Sequence, residues 1–441
     1  MKFSNYNVFR RINGNPYVYN SVTKAFLRVS DTALPFEDST LTNVEQFFQE
    51  DDLTVLIENG FVVEDNFDEL KALEFIYKKS FFNATDLTLI LTPTFECNFA
   101  CPYCFEAPQR GANTTVPQRA TKTVERYFSS LEKYAKKHFH LYRHVELSLF
   151  GGEPLLLFEN FSNFLNYTKA LSEEQRFSYS TSITTNGSLL NKDVVHTLVQ
   201  HHCRSLQITI DGGIDSHNKT RAFKGSGAPS FDLLMHIINH DLAEYYEQEN
   251  ATFYLRINLQ SNSVDEIRNA LSHVDEAIRH YVTVIIRAVY STECYHEQNT
   301  NSVEDLMEYY NMAAELGFRV STNGYFNRSC EACCDEGVYF LTPDLGVWKC
   351  VNTMSLQNGK VGDITENGDL EIDAAKMIDW YKAADCFSDS KCLNCKLLPD
   401  CFGGCILFNS VNGKRLCTPF DMTGLSYFFV KKLTKFLIIF S

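Results

Sequence analysis

Residues 87–105 read LTLILTPTFECNFACPYCF, an apolar run typical of a strand followed closely by three cysteines. They are Cys97, Cys101 and Cys104, in the spacing CxxxCxxC. Thiolates are ligands of iron–sulfur clusters and of zinc, but structural zinc takes four N or S ligands, and the sequence has no fourth Cys or His nearby. Three thiolates on a four-iron cluster leave one iron open for a substrate or cofactor. A zinc site completed by a distant residue is the alternative.

The 15 cysteines of this 441-residue chain are odd in number and unevenly placed. None precedes Cys97, ten lie between Cys330 and Cys417, and only Cys203 and Cys294 fall outside these two groups. Buried structural cysteines serve as small hydrophobes and have no reason to cluster. The N-terminus has basic residues but no apolar segment typical of an export signal, so a disulfide framework is a poor explanation. The pattern predicts metal or redox chemistry.

Charge and hydropathy limit the classes of partner. The chain has 40 Lys and Arg residues against 55 Asp and Glu residues, a net charge of −15. Such a chain gains nothing from the release of phosphate counterions, so we expect no nucleic-acid partner. No run approaches the roughly 18 apolar residues of a membrane span, so we expect a cytoplasmic protein without a membrane partner. The length fits two to four domains.

From Leu87 onward, short apolar runs alternate with longer segments of helical periodicity. The strand candidates are LTLILT, VELSLF, FSYSTSITT, LQITID, TFYLRIN and VTVII. The helix candidates are QRATKTVERYFSSLEKYAKK, FENFSNFLNYTKAL, KDVVHTLVQHH, FDLLMHIINHDLAEYY and SVDEIRNALSHVDEAIRH. This alternation predicts an α/β fold with a parallel sheet, either a partial barrel or a doubly wound sheet.

Three features follow the first three strand candidates. The cysteine triplet follows the first, Gly151-Gly152-Glu153-Pro154 follows the second, and Thr185-Asn186-Gly187 follows the third. The carboxyl ends of parallel strands meet at one edge of a sheet, where α/β proteins place their functional groups. We therefore expect the three segments to converge on one rim.

The pattern of turn and helix signals in the first 83 residues predicts a small separate module. YNVFRR and PYVYNS flank the turn signal NGN as a β-hairpin. LTNVEQFFQEDDLTVLIENGFVVED then has helical spacing, a stop at Asn59-Gly60 and a short final strand. This order is typical of a winged-helix-like module. An N-terminal cap packed on the main domain fits the same signals.

Beyond the helix candidate SVEDLMEYYNMAAELGF the periodicity ends, and a cysteine-rich segment begins that we expect to be dominated by loops. Alone it buries little core, so metal would have to hold it together. The apolar run of the tail, TGLSYFFVKKLTKFLIIFS, is too short to span a bilayer. We expect the tail to pack as a helix on the main domain, with binding to a membrane surface as the lesser alternative.

CNFACPYCF after one strand, followed by FGGEP after the next, resembles the radical S-adenosylmethionine (SAM) superfamily, whose triplet has an aromatic residue where Tyr103 stands. The resemblance implies a partial (β/α)6 barrel in which a [4Fe-4S] cluster has the catalytic ligands Cys97, Cys101 and Cys104. One electron from the reduced cluster would cleave SAM, and the resulting 5′-deoxyadenosyl radical would abstract hydrogen from the substrate. The resemblance further implies SAM contacts at Gly151, Gly152, Glu153, Pro154, Asn186 and Arg256. Glycines allow close approach, and a carboxylate suits an ammonium group.

The downstream cysteines resemble the SPASM extension of the same superfamily, which carries two auxiliary clusters. By this resemblance one cluster has the ligands Cys392, Cys395, Cys401 and Cys417. The other has Cys350, Cys405 and two of Cys330, Cys333 and Cys334, with Cys330 and Cys334 taken as the pair. The family usually has Gly five residues before the position of Cys350, where Leu345 stands here. A pair of zinc ribbons is the alternative.

One further segment resembles a SPASM motif. Asp211-Gly212-Gly213 with His217 and Arg221 is similar to DGxxxxHDxxR, with Asn218 in place of the second Asp. Its position after the fourth strand implies contact with substrate or SAM, and a loop before a capped helix is the alternative. The pattern of the N-terminal residues and the resemblances further along together divide the chain into a module at residues 1–83, a core at 84–300 and a SPASM domain at 301–441.

SPASM enzymes act largely on peptides and proteins, so the resemblance implies an oxidoreductase with a peptide substrate. The leading hypothesis is a peptide maturase that installs an intramolecular crosslink, thioether or carbon–carbon, in a ribosomally made precursor peptide. The N-terminal hairpin and helix resemble the element that binds a leader peptide by strand addition, which concentrates the core peptide at the site. Flavodoxin or ferredoxin is the kind of electron donor implied.

Two rival functions remain at this stage. The first is a sulfatase-maturating enzyme that oxidises Ser or Cys to formylglycine. Such enzymes typically begin almost at the triplet, where 96 residues precede it here, and have Asp at the position of Val351. The second is a nonenzymatic adaptor that binds zinc through the cysteine-rich segment.

Overall fold

The computed structural model describes residues 1–12, 15–29, 41–82, 85–104, 106, 121–259, 262–288, 303–321, 336–354, 359–404 and 406. Contacts group these residues into two compact units. The smaller contains residues 1–82 and 379–406, and the larger contains residues 85–321 and 336–378. No helix within the described ranges is long and apolar enough to cross a membrane. The C-terminal tail lies outside the described residues, and the three domain boundaries expected from the sequence stay a prediction.

The smaller unit begins with short strands and two helices. Its strands are β1 (Lys2–Phe3), β2 (Asn7–Ile12), β3 (Asn15–Asn20), β4 (Phe26–Arg28) and β5 (Val62–Val63). Its first helices are α1 (Glu50–Glu58) and α2 (Glu69–Phe81). β2, β3 and β4 form an antiparallel sheet, which confirms the hairpin predicted around the NGN signal. β1 pairs with β5 over a core of Phe3, Val18, Val44, Leu56, Phe61 and Val62.

The larger unit is built on an eleven-stranded sheet. Seven of its strands are β6 (Asp86–Leu91), β7 (His144–Leu149), β8 (Ser178–Thr185), β9 (Cys203–Ile210), β10 (Thr252–Leu259), β11 (Val282–Ala288) and β12 (Arg319–Val320). These seven are parallel and stand side by side in chain order. A doubly wound sheet reverses its order at a switch point, so the observed order excludes that alternative. The predicted α/β fold with a partial (β/α)6 barrel is confirmed.

Helices follow the strands of this sheet as the periodicity predicts. They are α3 (Thr121–His138), α4 (Phe158–Gln175), α5 (Lys192–Gln200), α6 (Ile214–Thr220), α7 (Phe231–His236), α8 (Ala243–Tyr246), α9 (Val264–Leu271) and α10 (Val303–Glu315). The helix expected over SVDEIRNALSHVDEAIRH is wrong in length. A capping box between Ser263 and Glu266 starts α9, but the helix ends at Leu271, and a 3₁₀ helix over Glu276–Tyr281 follows.

The sheet continues beyond the barrel strands into the cysteine-rich segment. The added strands are β13 (Val338–Leu341), β14 (Gly346–Trp348), β15 (Lys360–Ile364) and β16 (Leu370–Ile372). β13 pairs in parallel with β6, and the other three follow as antiparallel neighbours. Helix α11 (Ala374–Ala384) comes next, so the expectation of a loop-dominated segment is wrong for residues 338–354 and 359–384. The smaller unit adds α12 (Ser390–Leu393) and α13 (Leu398–Cys401).

The turn between β13 and β14 explains the missing glycine. Leu345, which stands where the SPASM resemblance has Gly, has φ +68°, in the left-handed region. Its amide donates to the Thr342 carbonyl (2.8 Å), and the Thr342 amide donates to the Gly346 carbonyl (3.0 Å). A non-glycine residue pays about 1–2 kcal/mol for this conformation. The turn therefore keeps the geometry of a glycine turn while Leu345 contributes a buried side chain.

Candidate active site

The rim segments expected to converge do lie together. The segment after β7 runs beside the segment after β6, because the Gly152 amide donates to the Thr94 carbonyl (3.2 Å) and the Glu153 amide donates to the Glu96 carbonyl (2.9 Å). The segment after β8 joins them through Asn186, whose amide donates to the Glu153 carboxylate (2.7 Å). Chain segments distant in sequence thus meet at one edge of the sheet, as parallel strands require.

Gly152 is required by close packing against the residues that precede the triplet. A Cβ atom built on Gly152 would lie 2.2 Å from the Glu96 carbonyl oxygen and 2.3 Å from the Phe95 carbonyl oxygen. Backbone atoms cannot move aside as a flexible side chain can. Its neighbour Gly151 has φ +120°, where a Cβ would lie 2.6 Å from the Thr94 carbonyl oxygen. The two glycines therefore let the GGEP segment set the backbone just ahead of Cys97.

Glu153 is fully buried and acts as a brace inside the protein. Its carboxylate accepts hydrogen bonds from the Thr185 hydroxyl (2.7 Å), the Leu155 amide (3.0 Å) and the Asn186 amide (2.7 Å). Burial raises the pKa of Glu153, and the three donors oppose that rise. Pro154 opens a 3₁₀ helix over Pro154–Leu157 and is also buried. The side chain of Glu153 thus ties two rim segments to each other.

The triplet begins with the thiol of Cys97, which is buried beside Asn186. The Asn186 side-chain amide lies 3.6 Å from Cys97 Sγ and donates to Asn98 Oδ1 (2.7 Å). The Phe99 amide lies 3.4 Å from the same sulfur. Two N–H groups therefore face the Cys97 sulfur, an arrangement that favours the thiolate.

The triplet segment also pairs with the chain that follows α6. The Ala100 amide donates to the Ala222 carbonyl (3.2 Å), and the Lys224 amide donates to the Asn98 carbonyl (2.7 Å). The side chains of Lys224 and Glu96 form an exposed ion pair of 3.8 Å. The segment is thus held from both sides, by the GGEP segment and by residues 222–224.

Tyr103, between the second and third cysteines, anchors a buried polar network. Its hydroxyl donates to the Asp211 carboxylate and accepts from Arg221 Nη1 (3.1 Å). Asp211 also accepts from the Thr220 hydroxyl (2.6 Å) and the Asn258 amide (3.2 Å), and its carboxylate lies 3.6 Å from the guanidinium of Arg221. The Asp211 side chain is 0% exposed and that of Arg221 10%. The network closes one side of the triplet segment.

Strand register brings these residues together. β9 and β10 are parallel and pair Ile257 with Ile210, so the next residues, Asn258 and Asp211, are also neighbours across the two strands. Side chains alternate between the two faces of a strand, which places Arg256 on the same face as Asn258. Arg256 Nε donates to Asn258 Oδ1 (2.9 Å). Arg256 therefore joins the network through Asn258, whereas Asn186 contacts the triplet segment directly.

His217 is hydrogen-bonded to the backbone of this network. Its Nδ1 accepts from the Asp211 amide (3.2 Å), and its Nε2 faces the Ser230 hydroxyl (2.9 Å), which in turn donates to the Arg221 carbonyl (2.8 Å). This pattern fits a neutral ring with the proton on Nε2. Burial, with a smaller effect from the Arg221 cation, lowers the pKa of His217 from 6.5 to about 3.

We predict that His217 makes the protein less stable in mild acid. Between the two pKa values the unfolded chain binds a proton that the native chain does not, so stability is present above 6.5 and is lost as the pH falls toward 3. From about pH 7 to about pH 5 this residue should cost about 2 kcal/mol of unfolding free energy. In urea denaturation His217→Gln should flatten the pH dependence by that amount. The same dependence of the unfolding free energy on pH in wild type and His217→Gln would contradict the prediction.

The residues of the triplet fit an iron–sulfur cluster in chemistry and charge. Burial raises the pKa of Cys101 to about 11, and the cation of Arg221 opposes that rise. Arg221 Nε is buried and has no hydrogen-bond partner among the described residues. No group of three or more His, Cys, Asp or Glu side chains within the described ranges is arranged to hold a metal ion. In a four-iron cluster each thiolate binds a different iron, so thiols surround the cluster rather than meet at one point.

The predicted auxiliary ligands are only partly within the described residues. Cys350 follows β14 in the larger unit, and Cys392, Cys395 and Cys401 lie in the smaller unit. The Cys395 amide donates to the Cys392 carbonyl (3.0 Å) in a tight turn. The remaining candidates lie outside the described residues: Cys330, Cys333, Cys334, Cys405 and Cys417. Both auxiliary ligand sets therefore stay predictions.

Sequence reasoning missed several residues of the site. The roles of Tyr103 and Asn98 in holding the triplet segment depend on side-chain direction, which no spacing reveals. Their position inside the triplet was the available signal. Thr220, which donates to the Asp211 carboxylate, carries no motif. Thr185 lies in a segment expected at the rim, but its hydrogen bond to Glu153 was not predicted. Contact of the Asp211–Arg221 segment with substrate or SAM stays a prediction, and the Arg221 guanidinium lies beside Asp211 and Tyr103.

Part of the chain matches a known protein family. Residues 91–240 match the family model of the radical SAM superfamily. A cysteine-type anaerobic sulfatase-maturating enzyme of Clostridium novyi (strain NT) is 22% identical over 341 residues, 72% of this chain and 87% of that enzyme. An S-adenosylmethionine-dependent nucleotide dehydratase of Pseudoalteromonas ulvae is 27% identical over 133 residues, 29% of this chain. The chain spans 41% of the length of that dehydratase.

Two solved structures share the fold. Native anSMEcpe with bound AdoMet superposes with a TM-score of 0.57 at 18% identity, covering 80% of this chain and 99% of that one. Streptococcus suis SuiB bound to S-adenosylmethionine superposes with a TM-score of 0.51 at 15% identity, covering 92% of this chain and 95% of that one. Both therefore share the α/β fold described above.

Proposed function

The chain belongs to the radical SAM superfamily and is an enzyme, and from that premise we propose that it is a peptide maturase. It installs an intramolecular crosslink, thioether or carbon–carbon, in a ribosomally made precursor peptide. The observation that carries this proposal is the content of the smaller unit. There the three-stranded sheet β2-β3-β4 and the segment with Cys392, Cys395 and Cys401 belong to one compact body. That combination joins a candidate peptide-binding element to a candidate auxiliary cluster. Superfamily membership favours the enzyme over the zinc-binding adaptor.

The core site holds a [4Fe-4S] cluster on Cys97, Cys101 and Cys104 in this proposal. When bound and reduced, the cluster supplies the electron that cleaves SAM to methionine and a 5′-deoxyadenosyl radical, which takes a hydrogen atom from the substrate. Asn186 and the Phe99 amide direct N–H groups at the Cys97 sulfur and so stabilise its thiolate.

SAM lies against the rim segments. Glu153 is buried and its oxygens already accept three protein hydrogen bonds, so it serves SAM by fixing the backbone of Gly151, Gly152 and Pro154. That backbone offers carbonyl acceptors for the amino group of SAM. Asn186 and Arg256 complete the proposed contacts. Asn186 donates to Asn98, and Arg256 joins the Tyr103 network through Asn258.

Two auxiliary clusters complete the cofactor set of the SPASM extension. One has the proposed ligands Cys392, Cys395, Cys401 and Cys417. The other has Cys350, Cys405 and two of the trio Cys330, Cys333 and Cys334, with Cys330 and Cys334 as the pair. Flavodoxin or ferredoxin supplies electrons, and the reaction takes place in the cytoplasm.

A leader peptide binds the sheet β2-β3-β4 by adding a strand in this proposal. Strand addition uses main-chain hydrogen bonds for affinity and therefore tolerates a variable sequence. Holding the leader raises the effective concentration of the core peptide at the barrel. Residues 1–82 carry 8 Lys and Arg residues against 13 Asp and Glu residues, which suits a basic leader.

Formation of formylglycine from Ser or Cys is the second candidate. The similarity to the sulfatase-maturating enzyme of Clostridium novyi over 72% of this chain favours it. Val351, where those enzymes have Asp, speaks against it.

Mass spectrometry tests the proposal. The anaerobically reconstituted protein is incubated with SAM, dithionite and short peptides encoded beside its gene. A crosslinked product loses about two hydrogens and yields 5′-deoxyadenosine. Fragments are missing between the joined residues, and no adduct forms with a hydrazide. An aldehyde that captures the hydrazide would support the second candidate, and the absence of any 5′-deoxyadenosine would overturn both.

A further inference from the structure

The N-terminal hairpin forms hydrogen bonds and an ion pair with the loop that joins two predicted ligands of one auxiliary cluster. Residues 19–24, at the end of β3 and in the turn after it, contact residues 396–400, which lie between Cys395 and Cys401. The Ser21 hydroxyl donates to the Lys396 carbonyl (2.6 Å), and Lys24 Nζ donates to the Pro399 carbonyl (3.1 Å). These contacts lie within the smaller unit.

Asp400, directly before Cys401, makes the largest number of these contacts among the loop residues. Its carboxylate accepts from the hydroxyl of Tyr19, 3.2 Å from each oxygen, and forms an ion pair with Lys24. The Asp400 side chain is 17% exposed, so the pair is partly shielded from water. Lys24 Nζ also donates to the Ser21 carbonyl (2.6 Å), which fixes its direction. A carboxylate with two donors from one hairpin has little freedom to turn.

Phe402, directly after Cys401, is held by another N-terminal residue, Tyr77. Its ring stacks on Tyr77 of α2 with centroids 5.0 Å apart and planes at 18°. Phe402 has φ +42°, in the left-handed region, so the chain reverses sharply just past the cysteine. Tyr77 is anchored in turn, because its hydroxyl donates to the Ala384 carbonyl (3.1 Å). Both chain neighbours of Cys401 are therefore fixed by side chains from residues 1–82.

We propose that Tyr19, Lys24 and Tyr77 are positioning residues that aim the thiol of Cys401 at its auxiliary cluster. The inference rests on the proposed function, which assigns Cys401 to a cluster. It gives the N-terminal residues a second task besides peptide binding. The cluster is assembled only when the hairpin is in place, and a strand added to β2-β3-β4 is connected to the cluster through Tyr19 and Asp400.

Iron content and electron paramagnetic resonance test this inference without any activity measurement. The test uses the full-length reconstituted protein with Lys24→Met, Asp400→Asn, Lys24→Arg and Cys401→Ala. Lys71→Met is the matched control, because Lys71 is in the same module but pairs only with exposed Asp68 among the described contacts. Lys24→Met and Asp400→Asn should lose about four iron ions per chain, the content of one cluster, as Cys401→Ala does. Lys24→Arg should restore the iron and the resonance signal, and Lys71→Met should keep both.

The outcomes separate the two proposals. Wild-type iron and an unchanged signal in both Lys24→Met and Asp400→Asn, with iron lost in Cys401→Ala, overturn the inference alone. Unchanged iron in Cys401→Ala overturns the assignment of Cys401 to a cluster, and the inference with it. An equal loss in Lys71→Met also overturns the inference, because the effect is then general. If Lys24→Met does not fold, the iron content of Asp400→Asn decides the test, because this substitution keeps the volume of the side chain.

Discussion

Cys101→Ala is expected to stop the formation of 5′-deoxyadenosine. Removing a proposed ligand of the core cluster should reduce the rate by more than the roughly 10–100-fold that changes behind a ligand typically cause. Cys101 is the middle cysteine of the triplet and the one whose thiol lies near the cation of Arg221. The measurement is chromatography of 5′-deoxyadenosine after anaerobic incubation with SAM and dithionite. Iron should fall by about four per chain, with the rest retained.

Cys203→Ala is the matched control for that experiment. Cys203 is a buried thiol at the start of β9, and burial raises its pKa to about 12. It therefore stays protonated and packs as a small apolar side chain. The control should keep both its iron and its SAM cleavage. Cleavage at the wild-type rate by Cys101→Ala would refute the assignment of the core site.

Arg221→Met should destabilise the protein by about 3 kcal/mol, the low end of the range for breaking a buried ion pair. The low end applies because Asp211, left without its cation, keeps hydrogen bonds from Tyr103, Thr220 and Asn258. Methionine retains most of the buried apolar volume, so the loss reports the charge. Urea denaturation followed by circular dichroism measures it.

Lys224→Met removes a cation three residues further along the same segment. Its pair with Glu96 is longer, 3.8 Å, and the Lys224 side chain is 58% exposed, so its loss should cost less than about 1 kcal/mol. Equal effects of the two substitutions would show that burial of Asp211 does not govern the stability of the rim.

The barrel was predictable because its strands are marked by the sequence. β6 to β11 are short apolar runs separated by amphipathic helices, and the position of the triplet after β6 then located the rim. β13 to β16 were not predictable in the same way. They are only three to five residues long, and β13 is stabilised by pairing with β6, a contact between distant segments that local pattern does not encode.

In the site, as in the fold, some features were predictable from the sequence and others were not. Motif residues such as Cys97 and Glu153 were located by spacing, since spacing fixes which loop they occupy. The direction of a buried side chain depends on packing in three dimensions. For this reason the sequence did not reveal that Arg221 donates to Tyr103. Nor did it reveal that Lys24 pairs with Asp400, because the two residues are 376 positions apart.

The continuity of the eleven-stranded sheet bears on electron tunnelling. Cys97 follows β6, and Cys350 follows β14, two strands away across β13 in the same hydrogen-bonded sheet. Because β14 runs antiparallel to β6, the carboxyl ends of the two strands lie toward opposite edges of the sheet, and the chain leaves β14 for Cys350 away from the rim that carries Cys97. Tunnelling rates fall steeply with distance. With Cys350 as a cluster ligand, the separation of the two cysteine sites would include a distance along the strands as well as about 10 Å across them, and direct electron exchange would be correspondingly slow.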